Sequence, residues 1–433
     1  MSLITIGIIG LAIMFFFLAL GMPIGAGMGL LGVGGMWYII SDTAAYAKLA
    51  IPPFDTVANY EFAVVPLFLL MANVVFNTGM GKDLYNLAAK WLGHFRGGVA
   101  MASVAGCAGF AAVSASSMAT AATIGLVALP EMEKRKYDTA LATGSIAAGG
   151  SIGILIPPSS LLIIYGIITE SSIGKLFMAG IIPGILEAVF YIVTIFVICR
   201  IKPDAGPPAE RYGFKDRFLA FRSSGEVILL IIIVLVGLMI GVFTPTEAGA
   251  VGAFGAIIIS LVRKRLSWNS MVNAFAETMK TTGMIYGILI GAFILNYFLA
   301  VTTLPFALAD YVTELSLPPL GILCVILLIY FILGCILDGG AMMLLTVPIF
   351  FPMAMKIGFD PIWFGIIVCR AMEVAMITPP IGINVYVIAG VAPHVPVQTI
   401  FKGIIPFVIA DFFHIALLIF VPSVVLFLPS VLR

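Results

Sequence analysis

The sequence predicts an all-α polytopic membrane protein built from two inverted-topology repeats. Each repeat holds about five transmembrane helices, one of them proline-broken, and one re-entrant helical hairpin. Three observations carry this prediction. The 433 residues are 62% apolar and only 10% charged, whereas an ordinary soluble domain carries about 25% charge. Apolar runs of about 20 residues, long enough to cross a bilayer, recur from end to end. A proline pair interrupts such a run twice, in SIGILIPPSSLL (151–162) and again in MITPPIGINVY (376–386).

The two breaks are in register. Pro157 and Pro158 recur as Pro379 and Pro380, 222 positions on; the same shift carries Pro23 to Pro245, Pro130 to Pro352 and Asp138 to Asp360. One residue more carries Pro183 to Pro406. A register held over that distance marks a duplicated unit, with repeat 1 at 1–199, a polar linker at 200–222 and repeat 2 at 223–433.

Within repeat 1, spans are expected at 3–21, 24–41 and 58–79. In KDLYNLAAKWLGHFR (82–96), Leu84, Leu87, Ala88, Trp91, Leu92 and Phe95 recur at helical spacing, so this segment should lie in the interface plane. Residues 97–129 are too long for one comfortable crossing and too short for two. A re-entrant hairpin fits, two half-helices meeting at the small polar SASS. A broken helix at 139–170 and a last span at 176–199 complete the unit. Repeat 2 places its hairpin at 318–352 and its broken helix at 362–392.

Five crossings are an odd number, so the second copy must be inserted upside down. The basic residues agree with that. One face then collects those of 82–96, 134–136, the linker, 263–265, Lys280 and Lys402, seventeen in all. The opposite face holds only Lys48, Lys175, Lys356 and Arg433. This puts the linker in the cytoplasm and both termini outside. The four tryptophans fall near span ends, as an interfacial belt would have them. The first basic residue is Lys48, so the first span is expected to be retained rather than cleaved as a signal peptide. The five cysteines lie singly in apolar segments and read as small core residues.

A proline pair in a helix removes backbone donors and clashes with the preceding turn. In a membrane such a break exposes amides at one half-helix and carbonyls at the other, which suit an anionic group and Na⁺. The first site combines Ser114, Ser116, Ser117 and Thr120 with AAGGSIG, where Gly149, Gly150 and Gly153 admit backbone oxygens. The second combines LDGGAMM, with Asp338 and Gly339, and EVAMITPP, with Glu373 and Thr378. Asp338 stands 222 positions after Ser116, and a carboxylate at a re-entrant tip needs an ion or a donor. Arg370 and Glu373, spaced i, i+3, either neutralise each other or leave the guanidinium for a carboxylate or sulfonate. Glu247 in FTPTEAGA reads as a structural hydrogen bond.

The motifs SASSMATAATIG, LDGGAMMLLTVPIF, ILIPPS, ITPPIGIN and FTPTEAGAVGA resemble the large membrane subunit of the tripartite ATP-independent periplasmic (TRAP) transporters, across essentially the whole chain. The paired hairpins are also similar to the wider ion-transporter superfamily, including the divalent anion/sodium symporters. The resemblance implies Na⁺-coupled uptake of a small organic anion in a bacterial inner membrane by an elevator motion, with no enzymatic activity. It also implies two partners, a periplasmic substrate-binding protein and a small membrane subunit of about four helices. The residues expected to hold Na⁺ are Ser114, Ser116, Ser117, Gly150, Gly153, Asp338, Gly339, Glu373 and Thr378. Those expected at the anion are Ser117, Thr120, Pro158, Ser159, Arg370, Pro380 and Asn384. IPPSS departs from the pattern of related symporters, which carry a threonine before the prolines; Arg370 stands where the family usually has an aliphatic residue.

Rival classes fare worse. GGSIG fits GxSxG around Ser151, but that motif needs a strand-to-helix elbow and a base. A nucleotide-driven pump lacks GxxxxGK[ST], and nothing suggests nucleic-acid binding. A passive channel fits an inverted repeat poorly, and a Na⁺/anion symporter that works without a binding protein is the nearest alternative.

Overall fold

The computed structural model describes residues 1–314, 318–334, 337–379 and 382–431, and every regular element among them is helical. The first half contains α1 (Leu3–Ala19), α2 (Ile24–Ile39), α3 (Asp42–Ala58), α4 (Val64–Asn77), α5 (Met80–Leu92), α6 (Gly98–Ser114), α7 (Ser117–Lys134), α8 (Thr139–Ser151), α9 (Ser160–Thr169) and α10 (Ile173–Ile201). The second half follows with α11 (Phe214–Met239), α12 (Pro245–Val262), α13 (Trp268–Thr302), α14 (Leu304–Glu314), α15 (Pro319–Gly334) and α16 (Gly339–Ile357). It ends with α17 (Pro361–Ile377), α18 (Ile383–Val391), α19 (Val397–Phe420) and α20 (Ser423–Val431). Seven of the described helices are long and apolar enough to cross a membrane.

Helix starts follow local chemistry. Ser41, Asp138, Ser159, Ser172, Ser267 and Asp360 each accept a first-turn amide with the side chain, which satisfies donors that hydrocarbon cannot. Thr244 and Glu247 form a reciprocal capping box, the structural hydrogen bond expected of Glu247.

Four features differ from the sequence reading. Residues 214–222 are helical rather than linker. The first turns of α11 dock on α5, with Phe218 and Phe221 edge-on to Trp91 and the Arg217 guanidinium 5.6 Å from that ring. Residues 42–58 form a separate helix, α3; with α4 it occupies the register that the single 35-residue α13 fills in the second half. The first hairpin continues through Pro130 to Lys134. Finally, Trp363 is buried, its indole N–H donating to Leu418 O at 2.9 Å, so it does not belong to an interfacial belt.

The helices pack as two groups. In the first, α2 and α13 run side by side in the same direction: a Cβ on Gly25 would lie 2.5 Å from Gly287 O and one on Gly32 2.6 Å from Ile294 O. Small residues permit such backbone approach in lipid. α13 passes α4 in the opposite sense, with Asn73 Nδ2 donating to Thr278 Oγ1 at 2.9 Å and the Tyr286 hydroxyl to Phe62 O at 3.0 Å. α12 then runs parallel to α4, Gly249 against Leu67 and Ser260 against Thr78. The second group gathers α6 to α10 with α15 to α19. There α8 meets α19 so closely that a Cβ on Gly403 would lie 1.9 Å from Ala140 O. A cavity of about 860 Å³ opens between the groups, lined by Tyr60–Phe62 and Thr244–Thr246 on one side and by Gly166, Ile167 and Glu170–Gly174 on the other.

Candidate functional site

Two hairpin tips and two helix breaks converge in the second group. At the first tip α6 ends at Ser114 and Ala115 turns left-handed (φ 50°). Ser116 caps α7 by accepting the Ala119 amide at 3.3 Å. Thr120 Oγ1 and Ser114 Oγ both donate to Ser116 O, at 2.8 and 3.3 Å. The hydroxyls of Ser114, Ser116 and Thr120 therefore surround one short stretch of irregular backbone, while that of Ser117 faces Asn384 on α18.

The first break lies against it. α8 ends at Ser151, residues 152–154 form a single tight turn, and α9 restarts behind Ser159, whose hydroxyl accepts the Leu162 amide at 3.3 Å. The Pro157–Pro158 bond is cis. Ser160 Oγ donates to Ala115 O at 3.0 Å, linking break to tip. A Cβ on Gly150 would sit 2.6 Å from that of Ala121 and 3.1 Å from Ser117 O; one on Gly153 would sit 3.2 Å from Thr120 Oγ1. Only a glycine allows this approach without a shift in the tip.

The second tip rests on both breaks. Asp338 caps α16, its Oδ1 accepting the amides of Gly340 at 2.9 Å and Ala341 at 3.2 Å. Next to it, a Cβ on Gly339 would lie 3.0 Å from Leu161 on α9 and 3.5 Å from the Met376 sulfur on α17. Thr378 ends α17 and donates to Val374 O. Beyond it Asn384, fully buried on α18, donates to Ser117 Oγ at 2.7 Å and to Ala147 O at 3.3 Å, so the second break reaches the first tip. Pro380 lies outside the described residues.

The N-termini of α7, α9, α16 and α18 thus meet the C-termini of α6, α8, α15 and α17. Their partial charges offer adjacent positive and negative ends. The structure brings together Ser114, Ser116, Ser117, Thr120, Gly150, Gly153, Pro158, Ser159 and Asn384 as one neighbourhood, and Asp338, Gly339 and Thr378 as another.

Arg370 and Glu373 belong elsewhere, which corrects their grouping with the tip. The guanidinium is fully buried; Nη1 donates to Glu373 at 2.8 Å and to Glu187 at 2.9 Å, Nη2 to Asp411, and Nε to His414 Nδ1 at 3.0 Å. All three nitrogens are engaged, so Arg370 is not free to meet an anion in this structure. Among the described residues these hydrogen bonds run to α10, α17 and α19 and to neither tip. The pair with Glu373 is one of the two outcomes the spacing allowed; Glu187, Asp411 and His414 were not foreseen. Their signal was present, since Glu187 is the lone ionisable group in IIPGILEAVF, and Asp411 and His414 are the two in FVIADFFHIA. Ser151 closes α8 instead of standing on a strand-to-helix elbow, so the GxSxG match has no structural counterpart.

Comparison with known proteins agrees with this architecture. The family model described as "Tripartite ATP-independent periplasmic transporter, DctM component" matches residues 11–424. The chain is 34% identical over 398 residues to a C4-dicarboxylate TRAP transporter large permease from Pseudomonas aeruginosa, covering 92% of each. It is 30% identical to the sialic acid large permease of Vibrio cholerae, covering 95% of each. It is also 30% identical to the isethionate permease DctMQ of Oleidesulfovibrio alaskensis, covering 95% of this chain and 64% of that one. The solved Alcanivorax borkumensis YdaH transporter shares the fold at a TM-score of 0.57 and 15% identity, over 84% of this chain and 86% of that one. With a family model spanning almost its whole length, the chain belongs to the DctM family, the large permeases of the tripartite ATP-independent periplasmic transporters.

Proposed function

We propose that this chain is the large permease of a Na⁺-coupled uptake system for a small organic anion, a carboxylate or sulfonate. A periplasmic binding protein delivers the anion, and a small membrane subunit braces the permease. The observation that carries this reading is the convergence of four helix N-termini and four C-termini on hydroxyl- and glycine-lined backbone. Na⁺ would take the carbonyl ends and hydroxyls at Ser114, Ser116, Ser117, Gly150 and Gly153, and at Asp338, Gly339 and Thr378. The anion would take the amide ends beside Thr120, Pro158, Ser159, Pro380 and Asn384. Relatives that carry C4-dicarboxylate, sialic acid or isethionate in their names support an anionic cargo.

Packing supports inverted repeats. α2 and α12 are register equivalents, yet α2 runs with α13, α13 against α4, and α12 with α4, so the equivalents point in opposite directions. The distribution of basic residues supports a cytoplasmic linker, with the termini outside an inner membrane. The two packed groups, with a cavity between them, are what an elevator needs: one body stays and the other carries both tips and breaks.

Reconstituted uptake tests the proposal. The purified permease, its small subunit and the binding protein are placed in proteoliposomes with radiolabelled dicarboxylates, sugar acids and sulfonates. Accumulation should require an inward Na⁺ gradient and the binding protein. Uptake that persists when K⁺ replaces Na⁺ would overturn the coupling; Na⁺-driven uptake without the binding protein would make the chain a simple symporter.

A further inference from the structure

The cluster around Arg370 has a charge problem that its hydrogen bonds do not solve. α10 contributes Glu187 and Tyr191, α17 contributes Arg370, Glu373 and Cys369, α19 contributes Asp411 and His414, and α8 contributes Ser151; these are the titratable and polar groups facing one another, all buried. His414 accepts from Arg370 through Nδ1 and is therefore neutral. Three carboxyl groups thus face one fixed positive charge. If all three were ionised, the junction would carry two uncompensated negative charges inside the membrane, which costs far more than taking up protons. Glu187 Oε2, Glu373 Oε1 and Asp411 Oδ2 are also buried without a hydrogen-bond partner. Among the described residues no group of His, Cys, Asp and Glu side chains is arranged to hold a metal ion.

We propose that Glu187 is a proton-binding site, its carboxyl group protonated at neutral pH and facing Ser151 at the first helix break. Hydrogen bonding singles out this residue. Asp411 has the Arg370 Nη2 to itself and balances the guanidinium one to one, whereas Glu187 and Glu373 share Nη1, and of those two Glu187 is the one that also faces Ser151. Ser151 has one proton, and its oxygen lies 2.6 Å from Ala148 O, 3.2 Å from Glu187 Oε1 and 3.3 Å from the Tyr191 hydroxyl, which has a proton of its own to give. With the serine proton on Ala148 O, the contact with Glu187 is complete only when the carboxyl supplies its own. The site also sits where the two halves of the chain meet. Glu373 follows Ser151 by 222 positions and His414 follows Tyr191 by 223, the two shifts that align the halves. A proton here removes one of the two uncompensated negative charges from the junction that ties α8 to α10, α17 and α19.

Infrared difference spectroscopy on the full chain in lipid nanodiscs tests this without any transport assay. At neutral pH the wild type should show the C=O stretch of a protonated carboxyl, and Glu187→Gln should lose that component. Ser151→Ala, which removes the acceptor and leaves Glu187 in place, should shift its frequency. Because the native state holds a proton that the unfolded chain releases above about pH 4.3, stability should fall as pH rises from neutral. For each proton retained the folding equilibrium changes about tenfold per pH unit, and Glu187→Gln should flatten that slope. If Glu187→Gln does not fold, the wild-type band and its response to Ser151→Ala decide. Absence of a protonated-carboxyl band at neutral pH, or a band indifferent to both substitutions, would overturn the assignment.

Discussion

Replacing Arg370 by methionine is the most informative single perturbation of the fold. Methionine keeps much of the length and loses the four hydrogen bonds to Glu187, Glu373, Asp411 and His414. Asp411 is left without the cation it pairs with, in a site with no exposed surface. Breaking a buried pair from one side costs about 3–5 kcal/mol. A second route gives a similar size: holding a carboxyl of ordinary pKa about 3.9 protonated at pH 7 costs about 4 kcal/mol, at about 1.36 kcal/mol per unit. At pH 5 the same proton costs only about 1.5 kcal/mol. Denaturant unfolding of the purified protein should therefore show Arg370→Met destabilised by about 3–5 kcal/mol at pH 7, with most of the deficit recovered at pH 5. The double variant Arg370→Met/Asp411→Leu should recover at pH 7 as well, since both charges leave together. A single variant within about 1 kcal/mol of wild type at pH 7, or a deficit that does not shrink in acid, would refute the reasoning.

Other outcomes follow from the same geometry. Asp338→Asn should unfold like wild type, because asparagine caps a helix about as well as aspartate, while Na⁺-dependent uptake falls; unchanged uptake would remove Asp338 from the site. Gly150→Ala drives a methyl into Ala121 and Ser117 O and should cost about 1–3 kcal/mol, with a larger loss of Na⁺ affinity than of expression. Asn384→Leu leaves Ser117 and Ala147 O short of a partner and should cost about 1–3 kcal/mol, read by thermal melting. In the turn after α5, burial and the neighbouring Arg217 hold His94 below its usual range. The unfolded chain then binds the extra proton, so stability contributed there should be lost as pH falls below about 6.5. His94→Asn should remove that acid sensitivity.

The breaks and tips were legible because they obey local rules. Pro157 and Pro158 fall between α8 and α9, although Pro52 and Pro53 sit inside α3, and the 33 residues at 97–129 turn back at Ala115. The broken helices appear as α8–α9 and α17–α18, and Ser116 and Asp338, matched by the 222-residue shift, both cap the helix that follows a tip. What could not be read depends on tertiary neighbours. Periodicity gives no sign that α11 begins at Phe214, because the aromatic shelf of Trp91 that receives it lies more than 120 positions earlier. Spacing proposed Glu373 as the partner of Arg370, but only packing brings Glu187 from 183 positions away and Asp411 from 41. The hydroxyls of Ser114, Ser116 and Thr120 gather on one turn of backbone; the approach of Gly150 and Gly153 to that turn is visible only in the folded chain.

The central claim is that the carbonyl ends and hydroxyls at the tips and breaks hold Na⁺, and Na⁺-dependent stabilisation of the purified permease tests it most directly. A ligand present at a hundred times its Kd stabilises the state it binds by about 2.7 kcal/mol. Melting in matched NaCl and KCl should show Na⁺ raising the Tm of wild type and of His94→Asn, with a smaller rise for Gly150→Ala and for Asp338→Asn. Equal melting in Na⁺ and K⁺, or a Na⁺ shift of full wild-type size in both site variants, would contradict the account.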